Sequence, residues 1–190
     1  MAGFSVNSER CYACKTCSIG CANEKMLPAG VLLRRVRTFD TATGIAMVSM
    51  ACNHCDEPAC LAVCPQSCYT KDEATGLVIQ NHDLCIGCKS CIQACPFHAP
   101  AFCEEETKTY KCDGCVDRQS IGELPRCQAN CPSGNITYVE DVASMTGESI
   151  KDLVDTKPNF SVVLDKDMDI SQFANIDDPA ACMDRGGEDY

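Results

Sequence analysis

Residues 85–96, Cys85-Ile86-Gly87-Cys88-Lys89-Ser90-Cys91-Ile92-Gln93-Ala94-Cys95-Pro96, constrain this chain more than any other stretch. Four thiols are separated by gaps of two, two and three residues, and a proline closes the run. Three residues span at most roughly 10 Å, so consecutive thiols reach neighbouring metals of one small inorganic core. The spacing is that of bacterial iron–sulfur ligation, in which the fourth cysteine serves a different cluster from the first three. Gly87 can take a positive φ and turn backbone amides toward the sulfurs, where their partial positive charge offsets the negative charge of a cluster. One such run therefore predicts a second.

Three more are present, making an internal repeat of four. Run I is Cys11-x2-Cys14-x2-Cys17-x3-Cys21, with Ala22 where proline usually follows. Run II is Cys52-x2-Cys55-x4-Cys60-x3-Cys64-Pro65, and run III is the stretch above. Run IV is Cys112-x2-Cys115-x11-Cys127-x3-Cys131-Pro132. Crossing of the fourth ligand requires runs to work in pairs. Runs II and III are separated by about half a two-cluster ferredoxin and pair naturally, which leaves I with IV outside them. Four [4Fe-4S] clusters are expected. Set a is Cys11, Cys14, Cys17 and Cys131; set b is Cys112, Cys115, Cys127 and Cys21. Set c is Cys52, Cys55, Cys60 and Cys95; set d is Cys85, Cys88, Cys91 and Cys64. Each set draws on two separated pieces of chain, so neighbouring clusters must be close and rigidly spaced: two linked pairs make a wire.

Composition narrows the alternatives. Cysteine is 19 of 190 residues and tryptophan is absent. So dense a cysteine content marks either a disulfide scaffold or a metal protein. Disulfide scaffolds are usually shorter, secreted and even in cysteine count, whereas this count is odd and MAGFSVNSER has no apolar signal core or twin arginine. No apolar run approaches the ~18 residues of a membrane span, so a soluble chain without its own signal is expected, either cytoplasmic or exported with a partner. The net charge of −11 opposes nucleic-acid binding. Most of the acid lies in residues 140–190, with 13 Asp and Glu against 4 Lys and Arg. No nucleophile–base pair, phosphate loop or dinucleotide fingerprint appears, so no bond-making chemistry is expected of the chain itself.

Between the runs, residues 4–9 read as a strand and Cys17–Lys25 as one or two helical turns ended by Pro28 and Gly30. Val31–Phe39 and Ile45–Met50 read as a hairpin around the five residues Asp40–Gly44. Pro58 opens a helical turn at Ala59–Val63, and Leu77–Gln80 is a strand after the turn at Thr75-Gly76. Ala99–Thr109 reads as a connector with the acidic triplet Glu104–Glu106, and Asp117–Pro125 as an exposed loop. Ile136–Val139 and Phe160–Leu164 read as strands, with a helix near Ser149–Val154. Asp165–Tyr190 is too poor in apolar residues to form its own core, so it is expected to lie on a partner or stay mobile.

Plainer readings compete at several positions. Run IV alone would suit a structural zinc site; its mirroring of run I argues for a cubane. Cys68, Cys103 and Cys182 fall outside every run and read as ordinary thiols. Lys15 and Lys89 share one slot between the second and third ligands, where a solvated lysine competes with a charge that raises a cluster's potential. Arg34-Arg35-x-Arg37 could meet an acidic partner or a cluster but reads more plainly as a solvated strand face; His54 could be a proton-coupled group beside a cluster but reads more plainly as a passive loop residue, with His82 and His98 saying less still.

Taken together, CYACKTCSIGC, CNHCDEPACLAVCP, CIGCKSCIQACPFHAP and KCDGC…RCQANCP resemble a known family. It is the four-cluster electron-transfer (beta) subunit of dimethyl-sulfoxide-reductase-type molybdopterin oxidoreductases, especially its anaerobic dimethyl sulfoxide reductase branch. The likeness covers residues 4–140. It implies a large molybdenum- or tungsten-pterin catalytic subunit facing runs I and IV, and a membrane anchor, quinol-oxidising subunit or other donor facing runs II and III, with set d outermost. Some relatives carry Trp at the second position of run III and hold three irons; Cys88 implies four. The fold expected is α+β: two pseudo-symmetric ferredoxin-like modules of the bacterial two-cluster type, a β-hairpin connector and an irregular acidic tail. Residues 1–30 with 104–144 would form the outer module, 31–103 the connector and inner module, and 145–190 an extension packed on a partner. The alternatives are a free polyferredoxin shuttle and a zinc-stabilised interaction module.

Overall fold

The computed structural model describes residues 1–165 and 167–176. Strand β1 (Gly3–Asn7) leads to run I, whose later cysteines lie in helix α1 (Thr16–Glu24). Three antiparallel hairpins then join the four runs. β2 (Arg35–Thr41) and β3 (Gly44–Met50) link I to II, and α2 (Ala59–Ala62) lies within run II. β4 (Tyr69–Lys71) and β5 (Val78–Gln80) link II to III, which contains α3 (Ser90–Ala94). β6 (Ala101–Cys103) and β7 (Lys108–Tyr110) link III to IV, followed by α4 (Val116–Ser120) and α5 (Arg126–Ala129). The chain closes with β8 (Ile136–Val139), β9 (Glu148–Ser149) and β10 (Phe160–Val163). Short helices and small sheets agree with the expected α+β class. No helix among the described residues is long and apolar enough to cross a membrane.

Several local expectations are corrected. The first hairpin pairs through Thr41 and Gly44, so its turn is two residues rather than five. Val31–Arg34 precedes the strand instead of forming it. The connector at Ala99–Thr109 is itself a hairpin, with Ala101 opposite Tyr110, and its turn carries the acidic triplet. Tyr69–Lys71 had no strand signature; it pairs with Val78–Gln80 because Asp72 holds the turn, its carboxylate accepting from the Thr75 N–H and hydroxyl. Part of the expected loop at Asp117–Pro125 belongs to α4. Near Ser149–Val154 there is no α-helix but a strand end and a 3-10 turn over Lys151–Leu153, because Glu148 and Ser149 are taken up by pairing with Val162 and Ser161.

The largest sheet runs β8-β1-β10-β9 and ties the beginning of the chain to its end. β1 and β10 are parallel, with Phe4 opposite Phe160 and Val6 opposite Val162. Both faces of β1 are covered, which is why its apolar and small residues do not alternate with charge. Phe4, Val6, Val48, Ile136, Phe160 and Val162 share one core with residues of the first hairpin. The start of the tail joins that core. Phe173, in a 3-10 turn at Ile170–Asn175, packs 4.7 Å from Phe39 and 6.2 Å from Phe160, while Met168 and Ile176 are buried beside it. Met168, Phe173 and Ile176 therefore pack on this chain: three apolar side chains are too few for a separate core but enough to extend an existing one. The remainder of the expected tail, 177–190, lies outside the described residues.

Candidate metal centres

Each run begins with the same backbone device. Between its first and second cysteines one residue is left-handed: Ala13 (φ 56), His54 (φ 43), Gly87 (φ 68) and Gly114 (φ 73). The chain thus curls around a point and brings amides to face inward. A second device follows each Cys-Pro. Ser67, His98 and Gly134 are left-handed, and the next N–H points back at the thiol. Cys68 N–H lies 3.3 Å from Cys64 Sγ, Ala99 N–H 3.5 Å from Cys95 Sγ, and Asn135 N–H 3.4 Å from Cys131 Sγ. Run I lacks the proline, so α1 continues through Cys21 and the Lys25 N–H bonds to the Cys21 carbonyl instead.

Gly87 illustrates how tightly one curl is held. A Cβ there would lie 2.1 Å from the Thr107 carbonyl oxygen in the β6–β7 turn. Ala13 holds nearly the same φ in run I, so the backbone angle alone does not forbid a side chain. Gly87→Ala is expected to cost at least the ~1–2 kcal/mol of a left-handed non-glycine residue. The shifted hairpin should also weaken metal retention in set d. Thermal unfolding and iron content check this; an unchanged melting temperature with full iron would contradict it.

The runs come together from different parts of the chain. One cavity is lined by Cys52, Cys55, Cys60 and Cys95, with Val78, Phe97 and Lys111. A second is lined by Cys64, Cys85, Cys88 and Cys91, with Cys68, Tyr69 and Thr109. A third is lined by Cys11, Cys14, Cys17 and Cys131, with Ser49 and Asn135. In each, three thiols come from one run and one from another. Cys21, Cys112, Cys115 and Cys127 neighbour one another where α1 packs on α5; burial first and then Cys127 and Cys115 push Cys21 up to about 12. Gly20 makes that approach feasible, since a Cβ there would lie 2.1 Å from Asn130 Nδ2. Glu24 then reaches Arg126 at 2.6 Å and Arg118 at 3.4 Å, and Lys25 reaches Asp113 at 2.7 Å. A carboxylate at a helix C-terminus is unfavourable by itself; the two guanidiniums offset it and fix run I against run IV.

The thiols suit a polynuclear core. All the cysteines among the described residues are free, so none is bridged to another. Among those residues no three His, Cys, Asp or Glu side chains converge on a single metal ion. The sulfurs of sets a, c and d each stand around a space, as a cubane requires. Burial pushes Cys55 and Cys60 up to about 12, so as free thiols they would stay protonated; ligation supplies the positive charge that deprotonates them. Cys14 and Cys88 are exposed and lowered by the hydroxyls of Thr16 and Ser90 and by nearby backbone N–H groups. Thr109 Oγ1 lies 3.3 Å from Cys85 Sγ and 3.7 Å from Cys91 Sγ. Cys68 and Cys103 are buried, and Cys182 lies outside the described residues.

Lys111 escaped the sequence, and Arg34 and His54 depart from their plainer readings. Arg34 is no solvated strand residue: it is 1% exposed, its guanidinium lies 4.8 Å above the Phe4 ring, and it donates to the Ser49 carbonyl and hydroxyl. Ser49 Oγ is 3.2 Å from Cys17 Sγ. Burial opposes the charge of Arg34, but Cys127, Cys112, Cys17 and Cys21 hold its pKa above the ordinary value. Arg37 is also buried and bonds to the Phe97 carbonyl. His54 is fully enclosed. Its Nδ1 accepts from the Val78 N–H, so the neutral ring carries its proton on Nε2, 4.0 Å from Cys112 Sγ. Burial first and then Lys111 keep its pKa far below the usual imidazole value. Lys111 Nζ lies 3.6 Å from Cys52 Sγ and bonds to the carbonyls of Val78 and Cys112. The lysines of the shared slot differ in kind from these: Lys89 is partly exposed, over Phe102 at 3.7 Å and near Glu104. The one available signal for Arg34 was its place in the apolar segment Val31-Leu32-Leu33, and for Lys111 its adjacency to Cys112.

Comparison with known proteins agrees with this chemistry. A family described as "4Fe-4S dicluster domain" matches residues 43–141. The chain is 39% identical over 142 residues to the B component of anaerobic dimethyl sulfoxide reductase of Escherichia coli, covering 68% of this chain and 69% of that one. It is 34% identical over 138 residues to the B component of tetrathionate reductase of Salmonella typhimurium, covering 68% and 54%. To the formate dehydrogenase iron-sulfur subunit of Haemophilus influenzae it is 30% identical over 154 residues, covering 70% and 49%.

Proposed function

We propose, for a chain that belongs to the 4Fe-4S dicluster family together with the iron–sulfur subunits of anaerobic dimethyl sulfoxide reductase and its relatives, that it relays electrons through four [4Fe-4S] clusters to or from a pterin-containing molybdenum or tungsten catalytic subunit. The observation that supports this reading is the lining of three cavities by four run thiols each, three from one run and one from another, with Cys127 and Cys115 beside Cys21 where α1 meets α5. Each cluster, when bound, supplies a site that stores and releases one electron. The chain's own residues do the rest. Sets a, b, c and d hold the metal through the cysteines assigned above, and the inward N–H groups after Cys64, Cys95 and Cys131 lower the cost of added negative charge. The two ferredoxin-like modules, residues 1–30 with 104–144 and residues 31–103, supply one pair of sets each.

Entry and exit fall to sets a and d. Among the described residues Cys14 and Cys88 are the exposed thiols, and exposed apolar side chains lie close to each in sequence: Tyr12 and Ile19 in run I, Leu84 and Ile86 at run III. Apolar surface at both ends favours two docking partners, the catalytic subunit and a donor such as a membrane-anchored quinol oxidase. The strongly acidic chain would also suit a free polyferredoxin, but a shuttle has no need of an apolar face at each end. Anaerobic purification of the full chain with its native partners tests the proposal. About sixteen irons and as many acid-labile sulfides per chain, co-purifying with a pterin protein, are expected. Zinc without sulfide would overturn the cluster assignment, and a loaded chain that purifies alone would favour the shuttle.

A further inference from the structure

Lys111 lies at the junction of two cysteine sets. It is 7% exposed, and its ammonium lies 3.6 Å from Cys52 Sγ of set c while bonding to the backbone carbonyl of Cys112 of set b. The Val78 carbonyl takes another of its protons. Arg34 has the corresponding place between sets a and b. It reaches Cys17 of set a through the Ser49 hydroxyl, and the thiols of Cys127, Cys112 and Cys21 of set b are the neighbours that favour its charge. Each cation is enclosed, held by two backbone or hydroxyl acceptors, and without a carboxylate among its hydrogen-bond partners. The nearest acid to set b, Asp113, is engaged by Lys25 at 2.7 Å. Set d differs: Lys89 beside it is partly exposed and shared with Glu104, and Lys108, which also favours the charged form of Cys85, is held by the carbonyls of His82 and Asp83.

A buried cation without a counter-ion is costly unless something negative stands beside it. Among the described residues, the groups beside these two cations that can supply that charge are the ligand sulfurs and what they hold. We propose that Lys111 and Arg34 are positioning residues for electron transfer: fixed positive charges at consecutive junctions that favour the reduced state of the sets they separate, b above all, since it touches both. The charge would make an interior set a resting place for the electron, so that a one-electron vacancy at either exposed end is filled from within and a surplus there is drawn inward. This rests on the cluster reading above. It places the tuning on residues that no cysteine spacing marks, whereas the shared-slot lysines Lys15 and Lys89 belong to the exposed ends.

The test is redox potentiometry of the anaerobically purified full chain with its clusters, following each centre by electron paramagnetic resonance. The centre of set d is identified by its loss in a Cys88→Ala variant. In Lys111→Met, the midpoints of the interior centres should fall by about 59 mV, a tenfold change in the oxidised-to-reduced ratio at fixed potential. The set d midpoint should stay. Arg34→Met should lower the centres of sets a and b and again leave d. Lys111→Arg and Arg34→Lys keep the charge and should restore values near those of the unaltered protein. If both neutral variants lose iron while both charge-keeping variants stay loaded, the charge is still what the sets require. Fully loaded neutral variants with unmoved midpoints would overturn the inference, as would equal shifts at all centres or loss of iron in all four variants. A chain without iron or sulfide before any substitution would instead overturn the cluster reading itself.

Discussion

Replacing Cys95 with alanine is expected to empty the site of run II, not that of run III to which Cys95 belongs in sequence. Its thiol lines the cavity of Cys52, Cys55 and Cys60, while Cys64 lines that of Cys85, Cys88 and Cys91. Iron should fall by about four per chain, and the resonance signal lost should differ from that lost in Cys64→Ala. Electron delivery through the complex should fall by more than about a hundredfold, since even changes to groups behind the ligands cost 10- to 100-fold. The two variants are diagnostic as a pair. If Cys95→Ala and Cys88→Ala abolished the same signal, the crossing would be wrong, and each run would hold its own metal.

Phe4→Ala should be the most damaging change away from the thiols. Phe4 is buried in β1, opposite Phe160, with Tyr138 edge-on at 5.3 Å and the Arg34 guanidinium 4.8 Å above its ring. Truncating such a side chain typically costs about 3–5 kcal/mol. For a chain of this size that corresponds to roughly 6–20 °C in melting temperature. The loss has a second part: Arg34 would face a void in place of a π surface, and a cation–π contact that is shielded from water is worth about 2 kcal/mol. Chemical denaturation of the loaded protein measures the sum. A loss below about 1 kcal/mol would mean that the metal sites alone hold the fold and the four-stranded sheet contributes little.

The cysteine spacing made the metal chemistry legible because the relevant distances are local. Two- and three-residue gaps limit where a thiol can go whatever the rest of the chain does. The strands at β1, β8 and β10 and the turns at α1 and α2 were legible for similar reasons, since Pro28, Pro58 and the apolar triplets act within a few residues. The hairpins at Tyr69–Gln80 and Ala101–Tyr110 were not. Three-residue strands carry too little periodicity to stand out, and their pairing is fixed by the runs on either side and by the Asp72 turn. Phe173 lies in a stretch rich in Asp overall, which hides it as a core residue, and its ring is placed by Phe160 and by Phe39, the latter far away in sequence.

Read alone, the sequence determined that this is a chain of iron–sulfur chemistry, because gaps of two and three residues bring its thiols to one small core whatever the rest of the chain does. Only the tertiary structure decided which charges sit beside them. Arg34, Arg35 and Arg37 look alike in one basic patch, yet Arg34 and Arg37 are enclosed and Arg34 alone lies among the thiols of two sets. Ligand reach is set by the covalent chain over a few ångströms, whereas the environment of a charge depends on every segment that packs around it, and those segments here come from both ends of the sequence.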